Sequence, residues 1–247
     1  MFTLLCVGFF LLSHATAHAA EVTVAVASNF SAPMRKIVQN FELESVHKVR
    51  LSYGATGNFY AQIKNGGPFQ ILVAADRETP AKLEKEGLGV TGSSFTYAFG
   101  KLVLWSRQPH LVDQQGEILK RGQFQKLAIA NPKLAPYGTA AMETLGNLAL
   151  MNQIRPKLVQ GENISQAFQF VETENAQIGF VAMSQIFAQG KLVQGSAWVV
   201  PAHLYTPIQQ DAILLVAGQG NAAALALMNF LKSPQAKSIM TEYGYTH

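Results

Sequence analysis

Apolar residues recur along this chain with two periods, and the alternation between them predicts the fold. Residues 21–27, EVTVAVA, form a short apolar run that predicts a strand. Immediately afterwards Met34, Ile37, Val38 and Phe41 fall at i, i+3, i+4 and i+7, the stripe of an amphipathic helix. Runs at 49–53, 69–74, 101–105, 127–130, 178–182, 197–200 and 212–217 predict further strands, with helical patterns between most of them. Thr79-Pro80 predicts the cap and first position of one such helix, and Gly87 its stop. Strands alternating with helices imply parallel sheets covered by helices. No internal repeat or low-complexity tract interrupts the pattern.

In sheets of this kind ligands bind where strands end and helices begin. Four such junctions share one character. They are Ser28-Asn29-Phe30-Ser31, Gly54-Ala55-Thr56-Gly57, the stretch 131–139 (NPKLAPYGT) and 161–165 (GENIS). Each offers small or polar residues at a helix start, and only the third carries a cation, Lys133. Taken singly, each reads as a helix cap; Thr56, for example, suits a cap after a tight turn. Taken together, they outline a cleft of neutral donors, because the first turn of a helix has unpaired N–H groups and a positive dipole end that favour an anion.

Composition fits this picture and narrows the setting. The chain has 247 residues, 49% hydrophobic and 14% charged, enough for one large domain or two modest ones. Residues 1–20, MFTLLCVGFFLLSHATAHAA, combine an apolar stretch of about ten residues with Ala17-His18-Ala19, the pattern of a secretory signal and its cleavage site. The apolar run is shorter than the ~20 residues of a spanning helix. No Lys or Arg precedes Leu4, which departs from the usual basic start. The single cysteine, Cys6, lies in that segment, so the exported part carries no disulfide, thiol nucleophile or cysteine metal site. A net charge of +4 from scattered Lys and Arg gives no nucleic-acid footprint.

Signatures of catalysis are missing. The chain contains no G-x-x-x-x-G-K-[ST], G-x-G-x-x-G, G-x-S-x-G or H-E-x-x-H. His47, His110, His203 and His247 are far apart. Asp76 follows a strand and has the chemistry of a general base, yet its setting, Ala74-Ala75-Asp76 before Arg77-Glu78-Thr79-Pro80, reads equally as loop and cap. Perturbed acids and bases normally occur in groups, and no group is visible.

Five stretches carry a family resemblance: residues 22–34 (VTVAVASNFSAPM), the Gly-Ala-Thr-Gly-x-Phe-Tyr turn, Ala74-Ala75-Asp76, the Asn-Pro…Ala-Pro-Tyr-Gly segment and residues 240–245 (MTEYGY). In order and spacing, across 21–246, the chain resembles the periplasmic molybdate-binding proteins of bacterial ABC importers. The resemblance implies a type II periplasmic binding protein fold, with two α/β lobes of mixed, mostly parallel sheets joined by two crossover segments. Lobe I is then 21–99 plus 206–247 and lobe II 100–205, after a signal peptide at 1–20. It implies a receptor and not an enzyme. Its ligand is molybdate, with tungstate a near equal in size, and it uses no cofactor. Its partners are the membrane permease and ATPase of the importer, with no nucleic acid, and it is a monomer in the periplasm. The family's oxyanion contacts fall on Ser28 or Asn29 and on Thr56 in lobe I, and on Tyr137 and the backbone N–H of Ile164 in lobe II. Any metal is thus held only through the oxygens of the anion. Many family members have a tyrosine hydroxyl where this chain has Ala182, so Tyr137 or Asn29 must supply that donor or selectivity differs. A receptor of the same fold for sulfate, phosphate or a phosphonate is the alternative, and a secreted α/β enzyme a more distant one.

Overall fold

The computed structural model describes residues 19–247; residues 1–18, which hold most of the expected signal peptide and Cys6, lie outside the described residues. In chain order the elements begin with β1 (Glu21–Ala27), α1 (Ser31–Glu44), β2 (Lys48–Gly54), α2 (Thr56–Lys64), β3 (Ile71–Val73), α3 (Glu78–Lys85) and β4 (Phe95–Gly100). Next come β5 (Leu102–Ser106), α4 (Ile118–Arg121), β6 (Leu127–Ala130), α5 (Pro136–Asn147), α6 (Met151–Ile154), β7 (Leu158–Gly161), α7 (Ile164–Glu172), β8 (Ile178–Ala182) and α8 (Met183–Ile186). The chain finishes with a small hairpin of β9 (Phe187–Ala188) and β10 (Lys191–Leu192), then β11 (Ser196–Val199), β12 (Ile208–Leu214), α9 (Ala222–Leu231) and α10 (Pro234–Glu242).

Two five-stranded sheets result, ordered β2-β1-β3-β12-β4 and β11-β5-β8-β6-β7. Each is mixed. In the first, β1 pairs in parallel with β2 and β3, while β12 runs antiparallel to β3 and β4. In the second, β6 is parallel to β7 and β8, and β5 is antiparallel to β8 and β11. The antiparallel pairs arise because the chain passes between the sheets twice, at Lys101 between β4 and β5 and again between β11 and β12.

The apolar pattern explains why β1 is central. Val22, Val24 and Val26 face one layer with Ile37, Phe41 and Leu227, whereas Ala25 faces the other with Leu72, Phe59 and Leu83. A strand covered on both faces is apolar at successive positions, as EVTVAVA is. The second sheet has its own core, built around Trp105, Leu104, Phe180 and Leu145.

Three local expectations need correction. β12 begins at Ile208, four residues before the apolar run at 212–217, and residues 216–218 form a 3-10 turn instead. Gln209, Gln210 and Asp211 obscured that start, because polar residues in a strand flanking two bodies break the apolar signal. β4 was not marked by an apolar run. Finally, Thr79 lies inside α3 and is not its cap; Asp76 Oδ1 accepts from Thr79 N at 2.8 Å and Oδ2 from Thr79 Oγ1 at 3.2 Å. Gly87 follows that helix with φ +73°, as a stop requires.

Candidate oxyanion site

Four strand ends deliver helix starts to the seam between the sheets. β1 ends at Ala27, after which Ser28 and Asn29 form a buried 3-10 turn into α1. β2 ends at Gly54 and α2 starts at Thr56. β6 leads through 131–135 to α5, with Pro136 and Tyr137 in its first turn, and β7 leads to α7, which starts at Ile164. All five residues singled out from the sequence, Ser28, Asn29, Thr56, Tyr137 and Ile164, line one cavity, together with Ala75.

The cavity is small, about 10 Å³, close to the space that a single water molecule needs. No charged side chain lines it. Glu162, the one carboxylate in the four junctions, is exposed. A charge-free lining of hydroxyls and backbone N–H groups suits an anion whose every oxygen accepts.

The donors are prepared in different ways. Thr56 is 1% exposed and does not cap α2. Its Oγ1 instead accepts the Ala75 N–H at 3.0 Å, which leaves the hydroxyl proton to be donated. In α7, Asn163 Oδ1 accepts from Ser165 N at 2.9 Å and Gln166 N at 3.1 Å. The Ile164 N–H is then the first-turn donor with no partner among the described residues. The Asn29 amide is turned away, donating to Gln210 Oε1 at 2.9 Å and Tyr245 Oη at 3.0 Å. Tyr137 Oη accepts from Gln210 Nε2 at 3.2 Å. Burial raises the Tyr137 and Tyr97 hydroxyls well above the ordinary tyrosine pKa and Tyr245 to about 12, so all three remain protonated donors at neutral pH.

Direct bonds close the seam around the cavity. Gly57 N donates to Leu134 O at 2.9 Å, Ser28 Oγ to Asn163 Oδ1 at 3.3 Å, Ser165 Oγ to Ser28 O at 3.3 Å and Ser184 Oγ to Asn29 O at 2.7 Å. A wider groove lies beside it, lined by Asp76, Thr79, Lys133, Glu143 and Gln209. Asp76 there is engaged with Thr79 and Glu143 with the Thr206 N–H at 2.6 Å, and Arg77 and Glu78 also line the groove. Burial pushes Asp76 up to about 6. Among the described residues no group of His, Cys, Asp and Glu is placed to hold a metal ion, and no helix is long and apolar enough to cross a membrane.

A family model for bacterial extracellular solute-binding proteins matches residues 22–246. The chain belongs to that family. This solute-binding protein is 56% identical over 229 residues to the molybdate-binding protein ModA of Azotobacter vinelandii, across 93% of this chain and 91% of that one. It is 48% identical over 229 residues to ModA of Rhodobacter capsulatus, across 93% and 89%. Its fold matches the solved periplasmic molybdate-binding protein of A. vinelandii with a TM-score of 0.89 and 38% identity, over 92% of this chain and 99% of that one.

Sequence reading gave no role to Ala75, to Asn163 as the cap that leaves Ile164 N free, or to Gln210, which this solute-binding protein places at or beside the cavity. Of these, Gln210 had a signal. Period-two alternation through Ile208, Gln210 and Ala212 puts a glutamine on the buried face of β12.

Proposed function

We propose that this chain is the substrate-binding component of an ABC importer, holding molybdate, and tungstate alongside it, between two lobes and handing it to the permease and ATPase. The observation that carries the reading is the convergence of neutral donors from both sheets on one cavity without a charged side chain. The molybdate-binding names of the relatives at 56% and 48% identity support it. Lobe I is 21–99 with 206–247 and lobe II is 100–205, following a signal peptide at 1–20 that directs a monomer to the periplasm. The oxyanion contacts are Ser28, Asn29, Thr56, Tyr137 and the backbone N–H of Ile164. The chain works as a receptor and not as a catalyst.

The physical logic is replacement of water by fixed donors. A dianion entering the cavity loses its hydration, and each charge-assisted hydrogen bond returns about 1.5 to 3 kcal/mol. Five to seven such bonds therefore support tight binding without a buried cation. Rigid donors spaced for a large oxyanion leave sulfate with long bonds, so size sets selectivity. Phosphate retains a proton near neutrality, and that proton finds no carboxylate in the lining.

Calorimetry on the mature protein with molybdate, tungstate, sulfate and phosphate tests the reading. Molybdate and tungstate bind tightly and the other two weakly if it is right. Tighter binding of sulfate or phosphate would assign the chain to the alternative, a receptor of this fold for another oxyanion.

A further inference from the structure

The wall of the cavity is tied to the second sheet by a hydroxyl that does not line it. After β1 the 3-10 turn Ser28–Phe30 carries Asn29 past the cavity and into α1. A carbonyl at such a helix entry takes the N–H four residues on, but residue 33 is proline and has none. The Asn29 carbonyl is therefore left for a donor from outside the helix. Ser184, 5% exposed in α8 after β8 of the second sheet, supplies it: Ser184 Oγ donates to Asn29 O at 2.7 Å. Ser165 of α7 repeats the arrangement more loosely, donating to Ser28 O at 3.3 Å. Two serines, each second in a helix of the second sheet, thus hold the consecutive carbonyls of one turn on the first.

We propose that Ser184 is a positioning residue for ligand binding: its bond to Asn29 O fastens the second-sheet half of the site to the first-sheet half and so sets affinity without touching the anion. The inference rests on reading the cavity as an oxyanion site shared by the two halves. Ser28 and Thr56 line the cavity from the first sheet and Ile164 from the second, and they serve one anion together only while the halves stay in register. A ligand binds with an apparent affinity reduced by the fraction of protein in the competent arrangement. A bond that exists only in that arrangement raises the fraction.

Tyr245 explains why loss of the Ser184 hydroxyl is felt across the seam and not within either core. Its ring packs edge-on against Phe30 in the first core, and its Oη lies 3.0 Å from Asn29 O and 3.1 Å from Ser184 Oγ. The tyrosine has one proton for these two acceptors, and while Ser184 holds the carbonyl, Ser184 Oγ can accept it. With the serine hydroxyl gone, the proton turns to Asn29 O and the buried carbonyl keeps a partner. That replacement lies wholly within the first half. Asn29 Nδ2 keeps Gln210 Oε1 and Tyr245 Oη in either case. What disappears is the bond from one half to the other.

Molybdate calorimetry and ligand-free melting curves on Ser184→Ala and Tyr245→Phe test the inference. Ser184→Ala is expected to weaken molybdate about three- to tenfold, the range for one neutral hydrogen bond, while moving the ligand-free melting temperature by less than about 2 °C. Tyr245→Phe removes a hydroxyl of the first half and leaves the Ser184 bond in place, so it should hold affinity within about twofold. Molybdate binding by Ser184→Ala within twofold of the original overturns the proposal, and so does an equal loss of affinity in both variants, since the cluster would then act only as packing. If Ser184→Ala does not fold, Ser184→Cys replaces it under the same criteria, because a thiol of similar size is a weak donor. Failure of the unsubstituted protein to bind molybdate would instead overturn the reading of the cavity, and the proposal with it.

Discussion

Replacing Thr56 with valine separates its two tasks. The substitution keeps the shape of the side chain and removes the oxygen that accepts the Ala75 N–H at 3.0 Å, at a position 1% exposed. Leaving that buried N–H unpaired costs about 1 to 3 kcal/mol of stability. For a protein of this size the loss lowers the melting temperature by roughly 2 to 4 °C per kcal/mol. The same change removes one proton donor to the anion, and a charge-assisted bond is worth about 1.5 to 3 kcal/mol, or roughly 12- to 150-fold in affinity. Thr56→Ser retains the oxygen and its proton and should stay within about threefold of the unsubstituted protein. Calorimetry with molybdate measures affinity, and melting without ligand measures stability. A valine variant that melts lower yet binds molybdate within twofold of the original would show that Thr56 serves only to anchor Ala75, and the hydroxyl would leave the list of contacts.

Gly100→Ala drives a Cβ into Tyr137 Oη and Gln210 Nε2. It should destabilise by about 1 to 3 kcal/mol; unchanged melting would contradict so close an approach of those atoms to the crossover. Asp76, pushed up to about 6 by burial, binds its proton more tightly folded than unfolded, so its contribution to stability is lost as pH rises from about 4 to 6 and is constant above. Asp76→Asn should therefore raise the melting temperature at pH 8 and not at pH 4, with a gain of about 2 to 3 kcal/mol at most; equal shifts at both pH values would refute the assignment. Phosphate should bind at least tenfold more weakly than molybdate at neutral pH, as its proton costs about 1 to 3 kcal/mol against a ring of donors, and calorimetry with both anions decides it. Small-angle scattering should show a smaller radius of gyration with molybdate, because bonds such as Gly57 N to Leu134 O form only when the two halves meet; an equal radius would count against closure.

Much of this was legible along the chain because it depends on local chemistry. The valine run at Val22, Val24 and Val26 and the stripe from Met34 to Phe41 specify strand and helix through burial at fixed periods. Ser28, Thr56 and Ile164 stand at strand-to-helix junctions, and a helix start exposes donors whatever surrounds it. What the sequence by itself determined was therefore which segments alternate and where neutral donors occur. Tertiary structure alone decided which donors are free. Thr56 looks like a cap in sequence, but its partner is Ala75, 19 residues away and on another strand end. Asn29 and Tyr137 look like equal candidates, yet Gln210, 181 and 73 residues from them, engages the hydrogens of one and the lone pair of the other. Hydrogen-bond capacity is shared among neighbours in space, and a sequence fixes only how many donors and acceptors each residue brings.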